Sequence, residues 1–150
     1  MITKNAFGNS AECLRSNYDS ARKRYELVYL VYNQDRKGRE KVKTYRCTIS
    51  SDTFLELSEL ITNAVYASAP GSIVFGADGV FYEFLEGESF SAVCWWPSLQ
   101  SDSNCGRLVS LFQKVENAVR DNDSELIEEL RPEIKSLTEV FDKLKVPIDN

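Results

Sequence analysis

Asp78, Glu83, Glu86 and Glu88 fall within one short stretch, and large rings separate them. Residues 75–97, FGADGVFYEFLEGESFSAVCWWP, hold seven aromatic residues and these four carboxylates, with no Lys, Arg or His. Carboxylates this close suit one of two kinds of work. A pair of them can divide general acid and general base roles, as in glycoside hydrolysis. Alternatively, carboxylates around exposed rings make a docking surface for a cationic partner. The first use needs company that the sequence does not supply. The whole chain has no histidine, which removes the commonest general base and excludes Ser-His and Cys-His nucleophile pairs. Gly71, Gly76, Gly79 and Gly87 sit at or near expected turns and form no phosphate-cradling loop. Cys13, Cys47, Cys94 and Cys105 are widely spaced and form no C-x-x-C pair, so they read as reduced packing thiols rather than a zinc site. The expectation is a protein with no catalytic residue, no metal and no cofactor.

Charge is distributed unevenly. The net charge of −5 argues against nucleic acid as partner. Residues 1–46 carry 11 basic and 5 acidic side chains, residues 47–106 carry 8 acidic and no basic ones, and residues 107–150 carry 7 basic and 10 acidic. The middle block is thus the acidic one, and Glu56 and Glu59 form a second acidic group within it. Residues 1–22 have no apolar leader, and no apolar run is long enough to span a bilayer. These features predict a cytoplasmic protein without a membrane partner. A length of 150 residues fits one domain spanning 1–150.

The elements that position the acidic stretch can be read from periodicity. Residues 10–22 are weakly patterned and are assigned a short helix. Residues 25–32, YELVYLVY, and 41–49, KVKTYRCTI, are β-branched and aromatic and read as a hairpin. From Thr53 the apolar positions Phe54, Leu57, Leu60, Ile61, Ala64 and Val65 follow one helix face, with Thr53 and Glu56 at capping-box spacing. Asp78-Gly79 predicts a tight turn between strands 72–77 and 80–85, pairing Ala77 with Val80, Phe75 with Tyr82 and Ile73 with Phe84. A turn at Gly87-Glu88 returns the chain as strand 89–96, which Pro97 ends. Two apolar stripes follow, 108–119 and 126–144. Pro132 lies inside the second, and the unbroken spacing across it favours one kinked helix over two. The predicted class is α+β: an antiparallel sheet of about five strands, a hairpin plus a three-stranded meander, with helices packed on it and two helices C-terminal. In that arrangement Phe81, Glu83, Leu85, Phe90, Ala92, Cys94 and Trp96 share the meander's second face.

The run Asp78-Gly79-Val80-Phe81-Tyr82-Glu83-Phe84, then an aromatic strand ending Trp95-Trp96-Pro97, then an amphipathic helix from Leu108 to Val119, resembles a segment of small bacterial immunity proteins of contact-dependent growth inhibition and related polymorphic toxin systems. The resemblance covers residues 72–120. It implies an inhibitor that binds a cognate toxin domain, commonly a nuclease with a basic cleft, without chemistry of its own. The partner-binding residues expected on this reading are Asp78, Glu83, Glu86 and Glu88, with Glu56 and Glu59 as a second group and Phe81, Phe90 and Trp96 as anchors. The competing expectations are a generic adaptor domain and, behind it, a small-ligand-binding domain or enzyme that uses a carboxylate in an aromatic pocket.

Overall fold

The computed structural model describes residues 2–5, 10–34, 38–68, 80–86, 90–95 and 102–145. Its strands are β1 (Ile2–Asn5), β2 (Ser10–Asp19), β3 (Arg24–Gln34), β4 (Glu40–Ile49), β5 (Val80–Glu86) and β6 (Phe90–Trp95). Its helices are α1 (Ser51–Tyr66), α2 (Asn104–Asp121), α3 (Ser124–Glu129) and α4 (Arg131–Leu144). The class is α+β. Strands β2, β3 and β4 make a three-stranded antiparallel meander and β5–β6 a hairpin. Strand β1 joins the two into one sheet of order β4-β3-β2-β1-β5-β6.

Residues 10–19 form a strand where the sequence predicts a helix. Strand β2 pairs with β3 along its whole length, from Ser10 opposite Asn33 to Asp19 opposite Arg24. This long ladder overrides weak local preference. The alternation is faint because Leu14 is the one residue of β2 seen to be fully buried. Asp19 closes the turn into β3 by accepting from the N–H groups of Ala21 and Arg22, both at 3.1 Å. Lys23 then takes a left-handed φ of 52°.

The meander expected from residues 72–96 is rearranged. Tyr82 has Thr3 of β1 on one side and Cys94 of β6 on the other, so no edge remains for Phe75. Residues 72–77 themselves lie outside the described set. The register of β6 also differs from expectation. Glu86 pairs with Phe90 and Glu83 with Val93, so three residues, not two, separate the strands. That single extra residue exchanges the faces of β6. Ala92 and Cys94 pack against the core beside Tyr82 and Phe84 rather than beside Glu83.

Helices α1, α2 and α3 pack against one face of the sheet, and α4 packs on them. Leu27, Tyr29, Cys47, Ile49, Tyr82 and Phe84 from the strands meet Leu60, Leu108, Phe112, Val115, Ile134 and Leu137 from the helices in one cluster. The Phe84 and Phe112 rings lie 5.5 Å apart at its centre. Helix α1 starts one turn before its expected cap: the Ser50 hydroxyl accepts from Thr53 N–H at 3.1 Å. Thr53, fully buried, instead donates to Glu128 of α3 at 2.7 Å. Helices α1 and α4 run side by side in the same direction, since Glu56 meets Arg131 and Asn63 Nδ2 donates to Thr138 O further along.

The second C-terminal stripe is two helices, not one kinked helix. Asp123 caps α3 by accepting from Leu126 N–H at 3.0 Å, and Pro132 lies in the first turn of α4, where its missing N–H costs nothing. Ile127, Leu130, Ile134, Leu137 and Phe141 all enter the same core, so their spacing does not reveal the break. Among the described residues, no helix is long and apolar enough to cross a membrane.

Candidate functional site

Glu83 is the one carboxylate of the acidic stretch whose side chain the structure describes. It is half-buried and stands on the sheet face that the helices leave uncovered. Its cross-strand neighbours are Val93 and Ile2, and the same row continues through Cys13, Leu30 and Thr44. The adjacent row on this face runs Trp95, Phe81, Lys4, Ala11, Tyr32, Val42. Tyr32 and Val42 are exposed there. By the same parity Lys4, Arg15, Arg24 and Arg46 also belong to this face, and Val28 and Glu26 on it are buried.

Three of the arginines near this face are engaged, whereas Arg15, opposite Val28, is exposed on it. Arg24 and Arg46 both pair with Glu26, which is buried on the same face, and Arg22 pairs with Asp19. Among the described residues none forms an ion pair with Glu83. The other expected residues are placed less completely. Phe81 and Glu86 are on β5 and Phe90 on β6, with side chains outside the described set. Asp78, Glu88 and Trp96 lie outside it altogether. The register puts Phe81 on Glu83's face but sets Phe90 opposite Glu86, in the row parity of Ala92 and Cys94. The tryptophan that shares Glu83's row parity is Trp95, opposite Phe81.

The second acidic group divides. Glu59 is exposed on α1. Glu56 accepts from Arg131 Nη2 at 2.7 Å and Nε at 2.9 Å, and Lys135 Nζ lies 3.1 Å away. The Arg131 hydrogen bonds hold its carboxyl below the usual glutamate value. Its charge is balanced within the chain, so it does not contribute a free carboxylate.

No family model matches this chain, and no curated protein or solved structure does.

A polar cluster lies on the helix side of the sheet, and periodicity gives no sign of it. Tyr29, fully buried, donates to Glu12 Oε2 at 2.6 Å and accepts from Arg120 Nη2 at 3.2 Å. Burial, reinforced by Glu12, pushes the Tyr29 phenol well up. Gln113 Nε2 donates to the Tyr82 hydroxyl at 2.9 Å. Glu116 is buried at 6% exposure, and its Oε1 has no hydrogen-bond partner among the described residues. Burial, with the nearby Glu12 charge, raises its carboxyl to about 7. A carboxyl that holds its proton near neutrality has the protonation behaviour of a general acid. Here it is sealed between sheet and helix, and its consequence is for stability.

An apolar cleft of about 320 Å³ opens where β1 stops between β2 and β5. Leu14, Leu27, Ile49, Leu57, Leu85 and Phe112 supply its apolar lining. Glu83 and Glu116 are not among the residues around it, so neither carboxyl is set in that cleft. Among the described residues, no group of His, Cys, Asp or Glu is arranged to hold a metal ion.

Proposed function

We propose that this chain is an immunity protein that binds and neutralises a cognate bacterial toxin domain, a nuclease with a basic cleft, by contact alone. The binding face on this reading is the helix-free side of the sheet around Glu83. One observation carries it: Glu83 stands on the sheet face opposite the helices, and among the described side chains none forms an ion pair with it, while Arg24 and Arg46 on that face are paired with Glu26. A carboxylate so placed gains a full partner when a cationic surface arrives. Complementary fields speed such encounters, to about 10⁸–10⁹ M⁻¹s⁻¹ at low salt. Rings packed at the centre of the contact then slow separation. The carboxylates would stand where substrate phosphates otherwise bind. The proposed setting is the cytoplasm, where such a toxin acts.

The reading of a carboxylate within an aromatic ligand pocket requires a cavity around Glu83, and the described cleft lies elsewhere. The experiment is to express the open reading frame adjoining this gene with and without this protein. Growth arrest that this protein relieves is the expected result. Growth that is indifferent to its presence overturns the proposal.

A further inference from the structure

The apolar cleft lies where the sheet is one strand short. Strand β3 accompanies β2 along residues 10–19, whereas β1 reaches only residues 11–13 of β2 and 80–83 of β5. Four consecutive residues of β2, Cys13, Leu14, Arg15 and Ser16, border the cleft. Successive side chains of a strand point to opposite faces, so a space that touches all four runs through the sheet from one face to the other. On the helix side its walls belong to the core. Leu14, Leu27, Leu57 and Phe112 are buried there. Phe112 rests on Phe84 at 5.5 Å, and Phe54 is stacked on Tyr25 at 4.5 Å. The walls are therefore in place before any occupant arrives. Ser58 also borders the space, but its hydroxyl is turned back onto Phe54 O at 2.8 Å. On the opposite face the rim is Cys13, Arg15 and exposed Leu85. Arg15 is the one charged residue among the described residues around the cleft. It is exposed, and no described carboxylate pairs with it.

We propose that this cleft binds a single-chain carboxylic acid, its alkyl tail among the apolar side chains of the helix side and its carboxylate at Arg15 on the other face. The cleft's volume of about 320 Å³ falls at the small end of ligand sites, which run from about 300 to 1,000 Å³. A preformed apolar space with one polar group at its mouth suits an amphiphile: the tail supplies affinity and the head fixes orientation. Each methylene that leaves water for the cleft should tighten binding about fourfold. Arg15 sets the sign of the head. A guanidinium matches a carboxylate through paired hydrogen bonds and repels a cationic head. The inference is independent of the toxin-binding proposal.

The test is calorimetric titration of the full chain with hexanoate, octanoate and decanoate, each kept below the concentration at which it forms micelles. Decanol and decyltrimethylammonium are the companion probes. The expected result is saturable binding of the acids that tightens about fourfold per methylene along the series, with the cationic amphiphile far weaker than decanoate. Arg15→Ala, at an exposed position, should weaken decanoate at least about tenfold and leave decanol as it was. Ser58→Phe should fill the cleft and abolish both. No saturable binding of decanoate, an affinity indifferent to chain length, equal binding of the cationic amphiphile, or unchanged decanoate binding by Arg15→Ala would each overturn the proposal. The head-group series on the wild type and the Arg15→Ala variant decide it even if Ser58→Phe misfolds.

Discussion

Arg131 of α4 grips Glu56 of α1 through two parallel hydrogen bonds, at 2.9 Å and 2.7 Å, the fork geometry that suits guanidinium to carboxylate. The pair connects helices far apart in sequence, and Lys135 reinforces it one turn on. Because Glu56's folded pKa is depressed below the ordinary glutamate value of 4.5, its contribution to stability is present above that value and is lost as pH falls through the folded one. Glu56→Gln should therefore be less stable than wild type near neutral pH. The two proteins should converge in acid. Urea unfolding at several pH values checks this, and a difference that grows in acid would contradict it.

Glu116 should show the opposite sign in a different window. Its folded pKa, about 7, lies above the ordinary glutamate value of 4.5. Folding therefore favours the protonated form: the contribution is whole below 4.5 and is lost as pH rises through 7. Glu116→Gln keeps the shape and removes the charge. It should be more stable than wild type in mildly alkaline buffer, by on the order of 3 kcal/mol, with the advantage vanishing in acid. Glu12, Arg120, Tyr29 and Tyr82 are among the groups facing Glu116, and Glu12→Gln should lower the Glu116 pKa in a carboxyl NMR titration.

Phe112 is the hinge of the core, buried against Phe84 and bordering the apolar cleft. Phe112→Ala should cost about 3–5 kcal/mol, the usual range for a buried ring replaced by methyl. Leu126→Ala, at a residue that is exposed on α3, should change stability far less. Equal costs in chemical denaturation would mean that the helix layer packs differently.

The elements with one strong period were legible in the sequence. Leu57, Leu60, Ala64 and Val65 of α1 and the stripe of α2 stand as their spacing predicts, because each helix has a single buried face, and the β-branched and aromatic run of β3 pairs with β4 as expected. The errors share a cause, which is that tertiary pairing decided what local pattern did not. Strand β2 has little inward apolar content and is a strand because β3 offers it a full ladder. The helix break before Pro132 is invisible in the spacing because both pieces feed one core. At the candidate site, Glu83 could be chosen from sequence, but its face-mates could not. They depend on a turn one residue longer than expected and on β1, whose four residues have no distinctive pattern. The pairing of Glu56 with Arg131, 75 residues along, is likewise a product of the fold alone.

Glu83→Lys, measured by calorimetry against the toxin domain that the co-expression experiment identifies, tests the central claim most directly. Glu139→Lys is the matched control, since Glu139 is exposed on α4, whereas Glu128 is bonded to Thr53 and Arg131. The account predicts that Glu83→Lys weakens binding at least about tenfold, the equivalent of about 1.4 kcal/mol, with the control unchanged and both variants folded. Equal affinities for wild type, Glu83→Lys and Glu139→Lys would contradict it.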